Sequence, residues 1–247
     1  MRRWQLAGLA LATYFLGLVA MAPASLVDAA LQRATEGKLR LADARGTLWS
    51  GRGQLEVRDW LQRTGVARNL AWRILPLYFL RGQFHAEIVL DQAAKPFPVT
   101  ISMTQIELAD ADINLPAAAL GLGEPKLAPL GLTGDVLLHI GRLAVGRTAF
   151  SGNATVQWRG AGSTYTRVSP LGDYELRIEG EGSTLRASLR TLQGPLQLDG
   201  QGAWTRGARP TFLGSARIPP EERPQLAPLM RMIAFERSEG NFELLLK

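Results

Sequence analysis

The sequence predicts a mainly β protein: a single N-terminal transmembrane helix, then a curved, largely antiparallel β-sheet domain with a few short helices. Three observations predict it. Trp4 to Ala22 carries no charge and matches the ~20 apolar residues that span a bilayer as a helix. From Lys38 onward apolar side chains recur with period two, as in strands with one face buried and one wet. Gly, Pro and Asp clusters separate these runs at short intervals, which favours hairpins over the long crossovers of a parallel sheet.

In chain order, residues 1–3 form a cytoplasmic tip. Arg2 and Arg3 precede the apolar stretch, and the positive-inside tendency holds them in the cytoplasm while the body crosses. The anchor runs from Trp4 to Ala22. A secretory signal peptide competes with it. Ala20 and Ala22 have the spacing for cleavage after Ala22, but Pro23 follows, with no N–H and a fixed φ that fits a protease cleft poorly. Cleavage after Ala24 stays open.

Residues 23–37 read as a juxtamembrane amphipathic segment, with Ser25 as cap, Leu26, Ala29, Ala30 and Leu31 at helical spacing, and Gly37 as stop. Residues 38–247 form the β-rich periplasmic domain. Its clearest alternations are Leu39/Leu41, Leu55/Val57, Phe84 to Leu90, Val99 to Met103, Ala154 to Trp158, Tyr174 to Ile178, Leu185 to Leu189 and Leu196/Leu198. Leu115 to Leu122, opened by Pro116, predicts one or two helical turns, and Pro125 to Gly131 an extended linker. A sub-structure boundary is therefore expected near residues 115–131. Pro219 to Glu222 opens a late helix through Leu226, Leu229, Met230 and Ile233, interrupted by Pro228, and Asn241 to Lys247 returns to a strand.

The chain has 247 residues and a formal charge of +6, yet its basic residues are scattered rather than gathered with aromatics. This speaks against a nucleic-acid partner and suits anionic headgroups or acidic proteins as well as plain solvent. With no cysteine there is no disulfide, thiolate metal site or cysteine nucleophile.

Candidate chemistry is sparse. His85 and His139 stand in separate strand-like runs without a carboxylate at ligand spacing. Asp110 and Asp112 share a strand face as Ca²⁺ ligands sometimes do, although a solvated loop explains them better. Glu179 and Glu181 could be drawn as an acid/base pair, but nothing sets their environments apart. Gly160-Ala161-Gly162 lacks the lysine of a phosphate loop and reads as a hairpin turn. No catalytic, metal or cofactor residue is assigned, and the chain is not expected to be an enzyme.

The run Gly46-Thr47-Leu48-Trp49-Ser50-Gly51, shortly after an anchor and a proline, resembles the type II secretion system protein N family, the inner-membrane accessory component of the general secretion pathway. Further agreements follow in order: Leu70-Ala71-Trp72-Arg73-Ile74-Leu75-Pro76, Leu171-Gly172-Asp173-Tyr174, Gly194-Pro195-Leu196, then the proline-rich late helix and terminal strand. The resemblance implies a single-pass bacterial inner-membrane protein. Its β-rich periplasmic domain would work with other secretion components to export folded proteins across the outer membrane.

The family brings no catalytic residues. Gly46, Thr47, Trp49, Gly51, Trp72, Gly172, Tyr174, Gly194 and Pro195 are its motif residues here, for packing or for partner contact. Read from the residues alone, Gly46 and Gly51 permit positive φ or close backbone approach, and Trp49 offers a large ring to cover the sheet. The alternative function is a membrane-anchored β-groove that binds or transfers lipid or another hydrophobic ligand.

Overall fold

The computed structural model describes residues 3–58, 64–91, 95–123, 127–231, 234–238 and 240–246. It is mainly β and divides into two compact units, Met1–Asp91 and Gln92–Lys247. Residues 115–131, where the sequence places a boundary, join two strands of the second unit.

The first unit begins with helix α1 (Arg3–Ala20). It stops short of the expected anchor end: Met21 stands in a turn and Ala22 outside any element. With Arg3 and Gln5 in its first turn, α1 reaches about 27 Å at 1.5 Å per residue. No helix among the described residues is long and apolar enough to cross a membrane. Its apolar side chains nevertheless face outward on every side, Leu9, Leu11, Tyr14, Phe15, Leu16, Leu18 and Val19 all being exposed.

Helix α2 (Ser25–Ala34) follows. Ser25 is its first helical residue rather than its cap, and the N-cap Ala24 offers no side-chain acceptor. At the other end Gly37, at φ +81°, donates to Gln32 O at 2.8 Å, so the expected glycine stop is present. Strands β1 (Leu39–Gly46), β2 (Ser50–Arg58), β3 (Thr64–Ile74) and β4 (Gln83–Leu90) then form an antiparallel meander. The apolar side of α2 packs on it, Val27 and Leu31 meeting the core of Ala24, Leu41, Trp72, Ile74 and Ala86.

The α2 helix also closes an edge. Leu39 N donates to Thr35 Oγ1 at 3.1 Å and Leu41 N to Asp28 Oδ1 at 2.8 Å. These outward N–H groups of β1 would otherwise invite another strand.

The second unit runs through β5 (Phe97–Ser102), β6 (Gln105–Pro116), α3 (Ala118–Gly123), β7 (Leu132–Gly146), β8 (Phe150–Ser163), β9 (Gly172–Gly182), β10 (Thr184–Gln193), β11 (Gln197–Thr205), β12 (Thr211–Arg217), α4 (Arg223–Met230), β13 (Phe235–Ser238) and β14 (Asn241–Leu246). Strands β5 to β12 pair antiparallel with their chain neighbours; β14 pairs with β12, and β13 lies outside β14. Alternation sorts the side chains. Ala111, Ile140, Ala154, Leu176, Ile178 and Leu189 share one face, and Asp112, His139, Gln157, Glu175, Arg177 and Arg190 share the other.

Three expected connections differ. Pro116 ends β6 opposite Asp135, and the helix begins only at Ala118. A strand's last residue can be proline because its N–H is no longer required by the ladder. Within the expected linker, Ala128–Leu130 make a 3-10 turn, while residues 124–126 lie outside the description. Pro220–Glu222 form another 3-10 turn before α4, which carries Pro228 in its interior and buries Leu226 and Met230. Ile233 and the Leu229 side chain lie outside the described residues, as does Lys247.

This sheet is rolled toward its apolar face. Phe150 on β8 and Trp204 on β11 are three strand spacings apart, about 14 Å in a flat sheet, yet their ring centroids are 5.2 Å apart. Arg206 lies over the Phe150 ring at 4.7 Å. A separate buried cluster of Leu130, Leu171, Leu196, Ala216, Ile218, Leu226, Met230 and Phe242 includes the inner side of α4.

Candidate functional site

The β1–β2 turn is where the first unit grips α1. Gly46 has φ +101°, and a Cβ there would sit 2.5 Å from Ser50 O; only glycine closes this turn without strain. Thr47 N donates to Ser50 O at 2.9 Å, and the Thr47 hydroxyl accepts from Ser50 N at 3.2 Å. The turn thereby presents Leu48 and Trp49 to the helix. Leu48 N donates to Ala22 O at 2.7 Å, and Trp49 Nε1 donates to Val19 O at 2.8 Å. Val19 belongs to the last turn of α1, whose carbonyls have no partner within the helix.

From the other side, Ala24 N donates to Gly46 O at 3.2 Å, and Pro23 bridges to Thr47. The strands behind hold the turn in place. Ile74 N donates to Trp49 O at 2.6 Å, and Trp72 Nε1 donates to Leu48 O at 3.0 Å. The Trp72 ring occupies the space that a Cβ on Gly51 would take, 2.5 Å from that position. Gly46, Thr47, Trp49, Gly51 and Trp72 therefore build one joint, although Trp72 lies a full hairpin away in sequence.

An aromatic row continues from it. Trp49 meets Phe79 edge-on at 6.1 Å, Phe79 meets Phe84 at 6.1 Å, and Tyr78 stacks on His85 at 4.3 Å.

The remaining motif residues meet in the second unit. A Cβ on Gly194 would fall 2.3 Å from Gly172 Cα, so two backbones touch there. Leu171 N donates to Ala161 O at 2.7 Å, Leu196 N to Leu171 O at 3.1 Å, and the Tyr174 hydroxyl to Leu196 O at 2.9 Å. Pro195 stands in the bend between them. Burial pushes the Tyr174 phenol above its ordinary value, and the neighbouring Asp173 charge adds to the shift. Gly160 to Gly162 belong to this region as a bulge inside β8 rather than a hairpin turn, with the register shifting between Trp158 and Ala161.

The polar face of the second unit carries a trough of about 770 Å³ bordered by β6, β7, β8 and β9. Asp110 and Asp112 lie on β6, not in a loop, although Asp110 has φ +48°. Asp112 Oδ1 stands 2.5 Å from His139 Nδ1, a carboxylate neighbour that sequence spacing does not reveal. Both groups are exposed. Glu179 also borders the trough, and Glu181 pairs with Arg186 at 3.4 Å. Among the described residues, no group of three or more His, Cys, Asp or Glu is arranged to hold a metal ion.

Glu175 is the buried charge on this face. It accepts from Gln157 at 3.1 Å, Arg177 at 2.7 Å and Arg190 at 3.0 Å. Burial alone would raise its carboxyl, but these three hydrogen bonds and the charge of Arg177 outweigh burial and hold it below the usual carboxylate range. A depressed carboxyl contributes stability that is present above its unfolded value, about 4.3, and lost as pH falls through the folded one. Because both arginines are half exposed, Glu175→Gln is expected to cost about 1–2 kcal/mol at neutral pH, below the loss from a fully buried pair. The difference should shrink below about pH 4. Denaturant melts at neutral and acid pH check this, and equal losses at both would exclude the charge as the cause.

The family described as type II secretion system (T2SS), protein N, matches residues 37–244. The chain belongs to the type II secretion system protein N family. No curated protein and no solved structure matches it. In this protein N family member the matched span takes in the described strands, β14 as far as residue 244, and the motif residues of both junctions, and it begins after α1 and α2. The β1–β2 turn is thus where the matched body meets the end of α1. Sequence reasoning found the turn residues but not their partners Val19 and Ala22, nor the Phe79 ring beside Trp49.

Proposed function

We propose that this protein N family member is an accessory inner-membrane component of the type II secretion system. It supports export of folded proteins across the outer membrane, and it acts by protein–protein contact in the periplasm rather than by catalysis. Helix α1 is its single-pass anchor, with the N-terminus cytoplasmic and the sheet-built body periplasmic.

One observation carries the reading: the body matched to the family is tied at its first β-turn to a helix whose apolar side chains are exposed all round. A helix apolar on every side needs an apolar surrounding. At about 27 Å, α1 is a little shorter than a ~30 Å hydrocarbon core, a mismatch that bilayer thinning accommodates at modest cost.

For partner contact the sheet edges differ. The outer side of β1 is occupied by Thr35 and Asp28. Strand β13 lies outside β14 with all four of its residues exposed, Phe235 at 76%. An uncovered outer strand offers N–H and C=O groups that set direction and register for an added strand.

A photo-crosslinking residue at Phe235 in intact cells is expected to capture other type II secretion components, and deletion of the chain to lower export of folded substrates. A residue at Ser188, on the polar face, is the comparison site. Capture of no secretion component from Phe235, together with normal export after deletion, would overturn the reading.

The alternative, a groove for a hydrophobic ligand, would run along the apolar face of the second unit. Phe150, Trp204 and Arg206 gather at one place on that face, and Leu226 and Met230 of α4 join another cluster.

A further inference from the structure

We propose that the 3-10 turn Pro76–Arg81 is a second membrane contact of the first unit, its Leu77, Phe79 and Leu80 entering the boundary between lipid headgroups and acyl chains beside the end of α1. The proposal rests on the reading of α1 as a membrane anchor.

The turn exposes what a folded body ordinarily covers. Leu77 is 74% and Leu80 86% exposed, and Phe79 is about half exposed. Residues i and i+3 of a 3-10 helix eclipse one another, so Leu77 and Leu80 form a single apolar face. The core of this unit, around Trp72, Ile74 and Ala86, is complete without them.

The turn is also held in position. Tyr78 N donates to Leu75 O at 3.2 Å and Gly82 N to Phe79 O at 2.9 Å, while Leu75 N donates to His85 O at 2.9 Å. Gly82, at φ +67°, returns the chain to β4. Backbone groups satisfied in this way carry a smaller penalty on leaving water.

The joint determines the depth. Trp49 bonds the carbonyl of Val19 in the last turn of α1, and its ring meets Phe79 at 6.1 Å. A bilayer that takes in α1 as far as Val19 has its boundary at the level of Trp49, where an indole ring is favoured, and therefore at the level of Phe79. Arg81 follows directly, with its guanidinium 5.9 Å from the Tyr78 ring centroid; a cation beside an apolar patch matches anionic headgroups. Continuity with the end of α1 selects lipid over a partner protein as the occupant.

The chain contains no cysteine, so a single introduced thiol can carry a polarity-sensitive fluorophore without a competing site. The full chain is reconstituted into vesicles of phosphatidylethanolamine and phosphatidylglycerol with the label at Leu80→Cys or Leu77→Cys. Leu11→Cys reports α1, and Ser188→Cys reports a water-facing strand. All four side chains are exposed, and circular dichroism checks that each variant is folded.

Labels at residues 77 and 80 are expected to emit to the blue of the label at residue 188 and to be quenched by spin-labelled lipid at shallow depth, with residue 11 quenched at greater depth. If residue 11 reports lipid while residues 77 and 80 behave like residue 188, the second contact is overturned and the anchor stands. If residue 11 also behaves like residue 188, the anchor reading fails and this inference fails with it.

Discussion

Replacing Trp72 with alanine is expected to lower the unfolding free energy by about 3–5 kcal/mol, the range for removing a buried indole. Trp72 is 6% exposed and packs in the core with Ala24, Leu41, Ile74 and Ala86. The space it leaves cannot be refilled from Gly51, which has no side chain to move. A second loss comes from Leu48 O, which accepts the indole N–H at 3.0 Å. Trp72→Phe separates the two contributions, since it retains much of the ring and removes only the donor, at about 1 kcal/mol plus some loosening. Guanidinium titrations of the full chain in detergent, followed by circular dichroism, measure both variants. A loss below about 1 kcal/mol for Trp72→Ala would mean that the joint does not depend on this ring.

The strands were legible wherever alternation was uninterrupted. Leu39/Leu41, Tyr174 to Ile178 and Leu185 to Leu189 each fall in β1, β9 and β10 with the expected face inward. Period two is a local property, so one sequence suffices to read it. What the sequence concealed depends on register. Asp112 and His139 meet because β6 and β7 pair in a register that sets these two residues opposite each other. Gly160 to Gly162 suggested a turn because glycines punctuate turns and bulges alike. The motif residues were each visible, yet their gathering into two junctions is a tertiary fact. Gly194 reaches Gly172, and Trp72 reaches Gly51, only through the hairpins between them. The exposed face of Leu77 and Leu80 was missed for the opposite reason: apolar residues in a short run read as buried unless a structure leaves them uncovered.

Gly194→Ala is expected to damage the second unit severely, at about 3–5 kcal/mol from left-handed strain and overpacking together. Gly194 has φ +123°, and an added Cβ would meet Gly172 Cα at 2.3 Å and Leu171 O at 2.7 Å. Both obstacles are backbone, so no rotamer change relieves them and Gly172 must move. Gly207 supplies the comparison, since it has φ +83° but nothing within 4 Å of its Cβ position. Gly207→Ala should therefore lose only the conformational part, about 1 kcal/mol. The gap between the two variants measures the close approach itself.

A spectroscopic readout follows from the same geometry. Moving Gly172 disturbs the bond from the Tyr174 hydroxyl to Leu196 O and admits water to the phenol. Its raised pKa, caused first by burial and then by Asp173, should fall toward the ordinary phenol value. Alkaline absorbance titration of Gly194→Ala is therefore expected to show one tyrosine ionising at lower pH than in the parent chain, with Gly207→Ala unchanged. Equal stability losses for the two alanines, or an unmoved phenol in Gly194→Ala, would mean that the meeting of Gly172 and Gly194 does not hold this junction closed.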